Sequence, residues 1–296
     1  MEENFKRDLF APIFAKGGFA GPLLLVARLM TTTLFVYYIV LEILQNARMQ
    51  AYVEKHNLPG ELVYLALAVQ VAGCVLILFG YKTRFAALLL AGLSIVATLI
   101  FNLHSRINLL KDFGIAGGLL FLFVNGPGPI SIDALLGQAQ PAGTGPNSYR
   151  GFFASVLKND SIMGPLLFLG RLFAAVIFLV FGNNKVIHNA QMQAYMVNHN
   201  SHVPTLLIFP ALILQLLGGA MLIVGYKTRY AAIALSGFTI LAASLFHIQW
   251  GIQAELVQFL TDYSLTGAIL FMFVYGPGPF SVDAWLGRPK LASVRA

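Results

Sequence analysis

Lys185, His247 and Asp262 bring together three residue types that proton-transfer chemistry needs. They are a cationic donor, an imidazole of the kind that changes charge near neutral pH, and a carboxylate able to orient that imidazole. Each belongs to a long apolar run, and chain spacing puts all three at one height. Lys185 lies twenty residues past Pro165, or ~30 Å along a helix. His247 lies eighteen residues past Arg229, and Asp262 fourteen residues before Gly276, ~21 Å above that break. Gln215 falls beneath them in a neighbouring run, while Phe246, Trp250 and His188 flank the same level. Singly, a Lys at the end of a membrane span snorkels to the interface, and a His there is interfacial. Their meeting at one height gives the functional reading its weight.

A second polar set is Arg28 with Asp133, and Arg171 with Asp283. Arg suits bidentate contact with a carboxylate, and it also satisfies carbonyls freed by a proline break. These four residues are read as structural clamps, with each Arg pairing to its Asp. His199 and His202 are three apart, but neither an acid nor a Cys lies close by in sequence, so no metal site is expected.

The elements that hold these residues come from a duplication. FVNGPGPISIDALLG (123–137) and FVYGPGPFSVDAWLG (273–287) are identical at 11 of 15 positions. NARMQAYVEKHN (46–57) matches NAQMQAYMVNHN (189–200), and GYKTRFAA (80–87) matches GYKTRYAA (225–232). Gly-Pro-Gly-Pro cannot continue a helix, and the Ser and Asp behind it can cap a new one. The first-half counterparts of Lys185, Gln215, His247 and Asp262 are Glu42, Gln70, Asn102 and Asp112. The cation has become an acid and the imidazole an amide, so only the second half keeps the full set.

Of 296 residues, 58% are hydrophobic and 10% charged, with a mean hydropathy of +0.76. A soluble domain carries about 25% charge, and several runs here approach the ~20 residues that cross a bilayer, so the chain reads as an all-α polytopic membrane protein. Eight spans are expected: Pro22–Leu44, Glu61–Gly80, Arg84–His104, Ile107–Asn125, Pro165–Ile187, Pro204–Gly225, Arg229–Ile248 and Leu256–Tyr275. They form two parallel-repeat four-helix bundles, at 22–137 and 164–287. An N-terminal arm (1–21) with an interfacial-helix pattern, a linker (138–163) and a basic tail (288–296) complete the chain. Fourteen of the 19 Lys and Arg fall on the side of the termini and the GYKTR turns, which makes that side cytoplasmic. Membrane lipids account for the net charge of +7, and nucleic acid is excluded as a partner. The single Cys74 excludes dithiol chemistry within this chain, and no haem, dinucleotide or phosphate-loop motif occurs.

The second half carries Arg171, Gly182 to Lys185, Gly218–Gly219, the Gly225–Arg229 turn and His247. At these residues the sequence resembles the DoxX family, four-helix membrane proteins often described as oxidoreductases. The first half keeps Arg28 and Gly80–Arg84 but lacks the Gly, Lys and His. The resemblance implies two tandem units in a bacterial inner membrane. Through the DoxD subunit of a thiosulfate:quinone oxidoreductase, it also implies a quinone-linked role with a partner subunit supplying electrons. On this reading quinone is the ligand and no cofactor is covalently bound. Lys185, His247 and Asp262 are then catalytic, with Gln215, Phe246, Trp250 and His188 around the headgroup. The alternative is a non-enzymatic scaffold, or a carrier of a small lipophilic molecule. Homo-oligomerisation is left open by the sequence.

Overall fold

A computed structural model describes residues 18–137, 157, 160–200, 202–247 and 249–287. The interfacial helix expected in the N-terminal arm, most of the linker and the C-terminal tail lie outside these residues. Eight helices long and apolar enough to cross a membrane are present among those described. In the first repeat they are α1 (Ala20–Leu44), α3 (Leu62–Phe79), α4 (Thr83–Phe101) and α5 (Arg106–Asn125). In the second they are α7 (Asp160–Ile187), α9 (Ile208–Val224), α10 (Thr228–Phe246) and α11 (Gln253–Tyr275). Short helices α2 (Asn46–Glu54) and α8 (Asn189–His199) fill the loops opposite the GYKTR turns, and α6 (Ile132–Leu135) and α12 (Val282–Gly287) follow the Gly-Pro-Gly-Pro breaks. The spans agree with the sequence reading to within a few residues, except that α7 starts at Asp160, upstream of Pro165.

The two parallel four-helix repeats are present, and they interlock. Within each repeat the helices follow one another, but α5 continues onto α7, and α11 returns to α1. Thus the last helix of each repeat packs along the first helix of the other, and α5 and α11 lie together at the centre. Two equivalent glycines permit the close approach. A Cβ on Gly117 would sit 2.4 Å from the Gly170 carbonyl oxygen, and one on Gly267 would sit 2.7 Å from that of Ala27. Both obstacles are backbone and cannot turn aside. Lipid chains are as apolar as Leu, so packing of this kind is what holds membrane helices together.

The helix ends at the GYKTR turns are built alike in both repeats. The helix ending at Phe79 is closed by Gly80 at φ 66°, and the one ending at Val224 by Gly225 at φ 70°, a left-handed cap open to glycine without strain. Asp133 then caps α4, its two carboxylate oxygens accepting the Lys82 N–H at 2.8 Å and the Thr83 N–H at 3.0 Å. Asp283 does the same for α10 through Lys227 at 2.7 Å and Thr228 at 3.0 Å. An anion at a helix N-terminus answers free N–H groups and the positive end of the dipole.

The expected Arg–Asp pairs do not form. Arg28 donates through Nη1 to the Ile77 carbonyl at 3.3 Å and through Nη2 to the Ile130 carbonyl, and Arg171 Nη2 donates to the Phe280 carbonyl. Each guanidinium fastens the broken backbone beyond Gly-Pro-Gly-Pro, where carbonyls have lost their helical partners. The four residues still form a clamp at one turn, but both members of each set hold main chain. Ser131 and Ser281 cap the short helices that follow, each accepting an N–H at 3.1 Å.

A candidate ligand pocket in the second repeat

The ends of α7, α9, α10 and α11 opposite the GYKTR turn, together with α8 and part of α5, line a cavity of about 790 Å³. Lys185, Gln215, Phe246, His247 and Asp262 all line it. Most of its wall is apolar, including Phe178, Phe181, Met192 and Met196. The volume falls within the range of about 300–1,000 Å³ usual for small-molecule sites.

Two polar groups stand in this wall. In the first, Lys185 Nζ donates to Gln215 Oε1 at 2.8 Å and lies 5.5 Å from the centre of the Phe181 ring. In the second, His247 caps the end of α10 and its Nδ1 meets Glu255 Oε2 at 2.8 Å. Its Nε2 faces Asp262 Oδ2 at 3.9 Å, too far for a hydrogen bond. The expected role of Asp262 as the orienting carboxylate therefore passes to Glu255. Asp262 is instead held by Lys111 Nζ at 2.6 Å, and Lys111 also donates to Gln258 Oε1 at 2.7 Å.

Lys111 belongs to α5 of the first repeat, and only 4% of it is exposed. The interlocked packing delivers it across the boundary between repeats. Its counterpart in the second repeat is Thr261, whose hydroxyl turns back to the Val257 carbonyl at 2.6 Å. Glu255 extends outward to His199 Nε2 at 4.0 Å, and the His199 ring stacks on Tyr195 of the same helix with centroids 3.8 Å apart. Burial, reinforced by the nearby Glu255 and Asp262 carboxylates, pushes the Tyr195 hydroxyl up to about 12, so it stays protonated at neutral pH.

Two expected pocket residues lie elsewhere. Trp250 is 57% exposed, donates its indole N–H to the His247 carbonyl at 3.2 Å and packs on Phe259. It braces the turn after α10 and is not part of the cavity wall. His188 is exposed at the junction of α7 and α8 and also lies outside the wall. Lys111, Glu255, Gln258 and Tyr195 are wall residues that the sequence reading passed over, and His199, weighed there only as a metal ligand, is another. A signal existed for two of them, because Glu255, Gln258 and Asp262 recur at i, i+3 and i+7 and so share one helix face.

The first repeat keeps the scaffold with the chemistry altered. Gln70 Nε2 donates to Glu42 Oε1 at 2.7 Å, where Gln215 accepts from Lys185 through its oxygen. Asn102 Nδ2 donates to Asp112 Oδ2 at 2.9 Å, in the place of His247 opposite Asp262.

These observations define a polytopic membrane protein made from a duplicated four-helix unit, with a lipophile-sized pocket in its second copy. The DoxX family model matches residues 23–103 and 166–248, once in each repeat, and the chain belongs to the DoxX family. Similar proteins include two from Escherichia coli strain K12. Inner membrane protein YqjF is 36% identical over 120 residues, which is 40% of this chain and 91% of that protein. Inner membrane protein YphA is 25% identical over 123 residues, 40% of this chain and 88% of that one. Each relative is thus about one repeat long. No solved structure matches.

Proposed function

We propose that this protein is an integral inner-membrane subunit that binds a quinone headgroup in its second-repeat pocket, with electrons supplied by a partner protein. One observation carries the reading: a single, mostly apolar cavity presents both an ammonium donor, Lys185, and an imidazole, His247, braced by Glu255 at 2.8 Å. The pocket fits such a group in size and donor set. Lys185 would donate to a carbonyl oxygen, His247 would give or take a proton at Nε2, and Glu255 would hold the ring through Nδ1. Phe178, Phe181 and Phe246 would flank the headgroup. A bound quinone supplies two-electron, two-proton carrier chemistry, and the chain's part is to bind, orient and exchange protons. With the termini on the cytoplasmic side, as the distribution of basic residues favours, this pocket opens in the outer leaflet.

The test is saturable binding of a short-chain ubiquinone analogue to purified protein, together with extraction of any quinone that co-purifies. Saturable binding that weakens in His247→Asn supports the reading. Absence of both signals favours the alternative, a non-enzymatic membrane scaffold or a carrier of another small lipophilic molecule.

A further inference from the structure

Charge compensation in the pocket is uneven. Asp262 has its own cation, Lys111, at 2.6 Å, and Glu255 is engaged by His247 at 2.8 Å with His199 beyond it at 4.0 Å. Lys185 has no such partner. Among the described residues its Nζ meets only a neutral amide oxygen and the face of Phe181, and no carboxylate pairs with it. An ammonium in an apolar wall is costly to keep unless something compensates it. The fold itself does not require a cation at this place, because the first repeat puts Glu42 there and simply turns Gln70 to donate. The sign of the charge is therefore a property of the pocket.

We propose that the pocket selects lipophiles whose headgroup carries an anionic oxygen, a carboxylate or a phenolate, with Lys185 Nζ as its counter-ion. The anion takes the donor capacity of Lys185 that Gln215 leaves free, since an ammonium has three donors and Gln215 accepts one. The hydrocarbon part lies against Phe178, Met192 and Met196. The proposal rests on the same cavity as the quinone reading and adds a charge preference: a neutral quinone takes a hydrogen bond from Lys185, whereas a deprotonated quinol or a carboxylate takes an ion pair as well.

The experiment compares three probes on the purified full-length protein in detergent: dansyl-labelled undecanoate, the corresponding dansyl-labelled alcohol, and decyl-ubiquinone. The carboxylate and the alcohol differ in charge at equal chain length, so their affinity ratio isolates the headgroup. A charged hydrogen bond of this kind predicts a ratio of about 10- to 100-fold in the wild type. The ratio should fall to about one in Lys185→Gln and persist in Lys185→Arg, with thermal unfolding confirming that each variant is folded. A wild-type ratio near one, or a ratio unchanged in Lys185→Gln, overturns the charge preference. Saturable decyl-ubiquinone binding in that case leaves the quinone reading standing. Charge discrimination without saturable decyl-ubiquinone binding supports the anion site and removes the quinone reading. No saturable binding of any probe removes both.

Discussion

Lys111 of the first repeat and Asp262 of the second are 2.6 Å apart, a buried ion pair that ties the two halves together beside the pocket. Removing one partner of such a pair strands the other charge and typically costs about 3–5 kcal/mol. Lys111→Met should therefore lower the melting temperature in detergent clearly. The double variant Lys111→Met/Asp262→Asn should recover much of the loss, because neither charge is then left alone. Equal melting of single variant and wild type would show that the pair contributes nothing.

The clamps at the GYKTR turns should respond more mildly, since their aspartates cap helices directly and make no direct contact with the arginines. Loss of an N-terminal cap costs about 0.5–2 kcal/mol. Asp283→Ala should fall in that range, and Asp283→Asn should lose less because its amide oxygen still accepts one N–H. A loss several-fold larger, equal in both variants, would point back to an Arg171–Asp283 ion pair.

His247→Asn copies the first repeat and leaves the fold a residue it already accommodates at Asn102. It should abolish quinone-linked proton exchange, a loss of about 10²–10⁴-fold wherever a general acid–base is removed. Glu255→Gln should act in the same direction with a smaller effect, because the imidazole loses its charged brace but keeps its place. Asn102→Ala should leave turnover in a reconstituted complex near wild type, and a large effect there would move the working site to the first repeat.

Orientation can be read by placing single cysteines at Gly143 and Asn198 after replacing Cys74. A membrane-impermeant thiol reagent applied to intact spheroplasts should label the Asn198 site and leave the Gly143 site unmodified. The reverse pattern would overturn the cytoplasmic assignment of the termini.

The sequence disclosed the spans, the breaks and the repeat well, because these follow from rules local in the chain. Apolar length sets a span, Gly-Pro-Gly-Pro ends one, and GYKTR turns two helices at Gly80 and Gly225. It placed Lys185, Gln215, Phe246, His247 and Asp262 on one cavity for the same reason. Glu255 was missed because the expected span opened at Leu256, which left the acid in a loop, whereas α11 begins at Gln253 and carries it on the helix. Lys111 was missed for a deeper reason. Which helix meets which is decided by small-residue contacts such as Gly117 on Gly170, and apolarity alone does not distinguish one neighbour from another.

The interlocking of the repeats has a consequence for how such a pocket can change over generations. In an assembly of two identical copies, every substitution appears twice, and both pockets receive the same residue from the opposite copy. Here the residue before the two aligned aspartates differs, Lys111 ahead of Asp112 and Thr261 ahead of Asp262. Because each repeat lends its central helix to the other's neighbourhood, one covalent chain supplies two cations, Lys111 and Lys185, to the second-repeat pocket, while the aligned residues Thr261 and Glu42 carry no positive charge. Joining the two copies in one chain frees them to specialise, so that one can give up its own chemistry and serve as part of the other's wall.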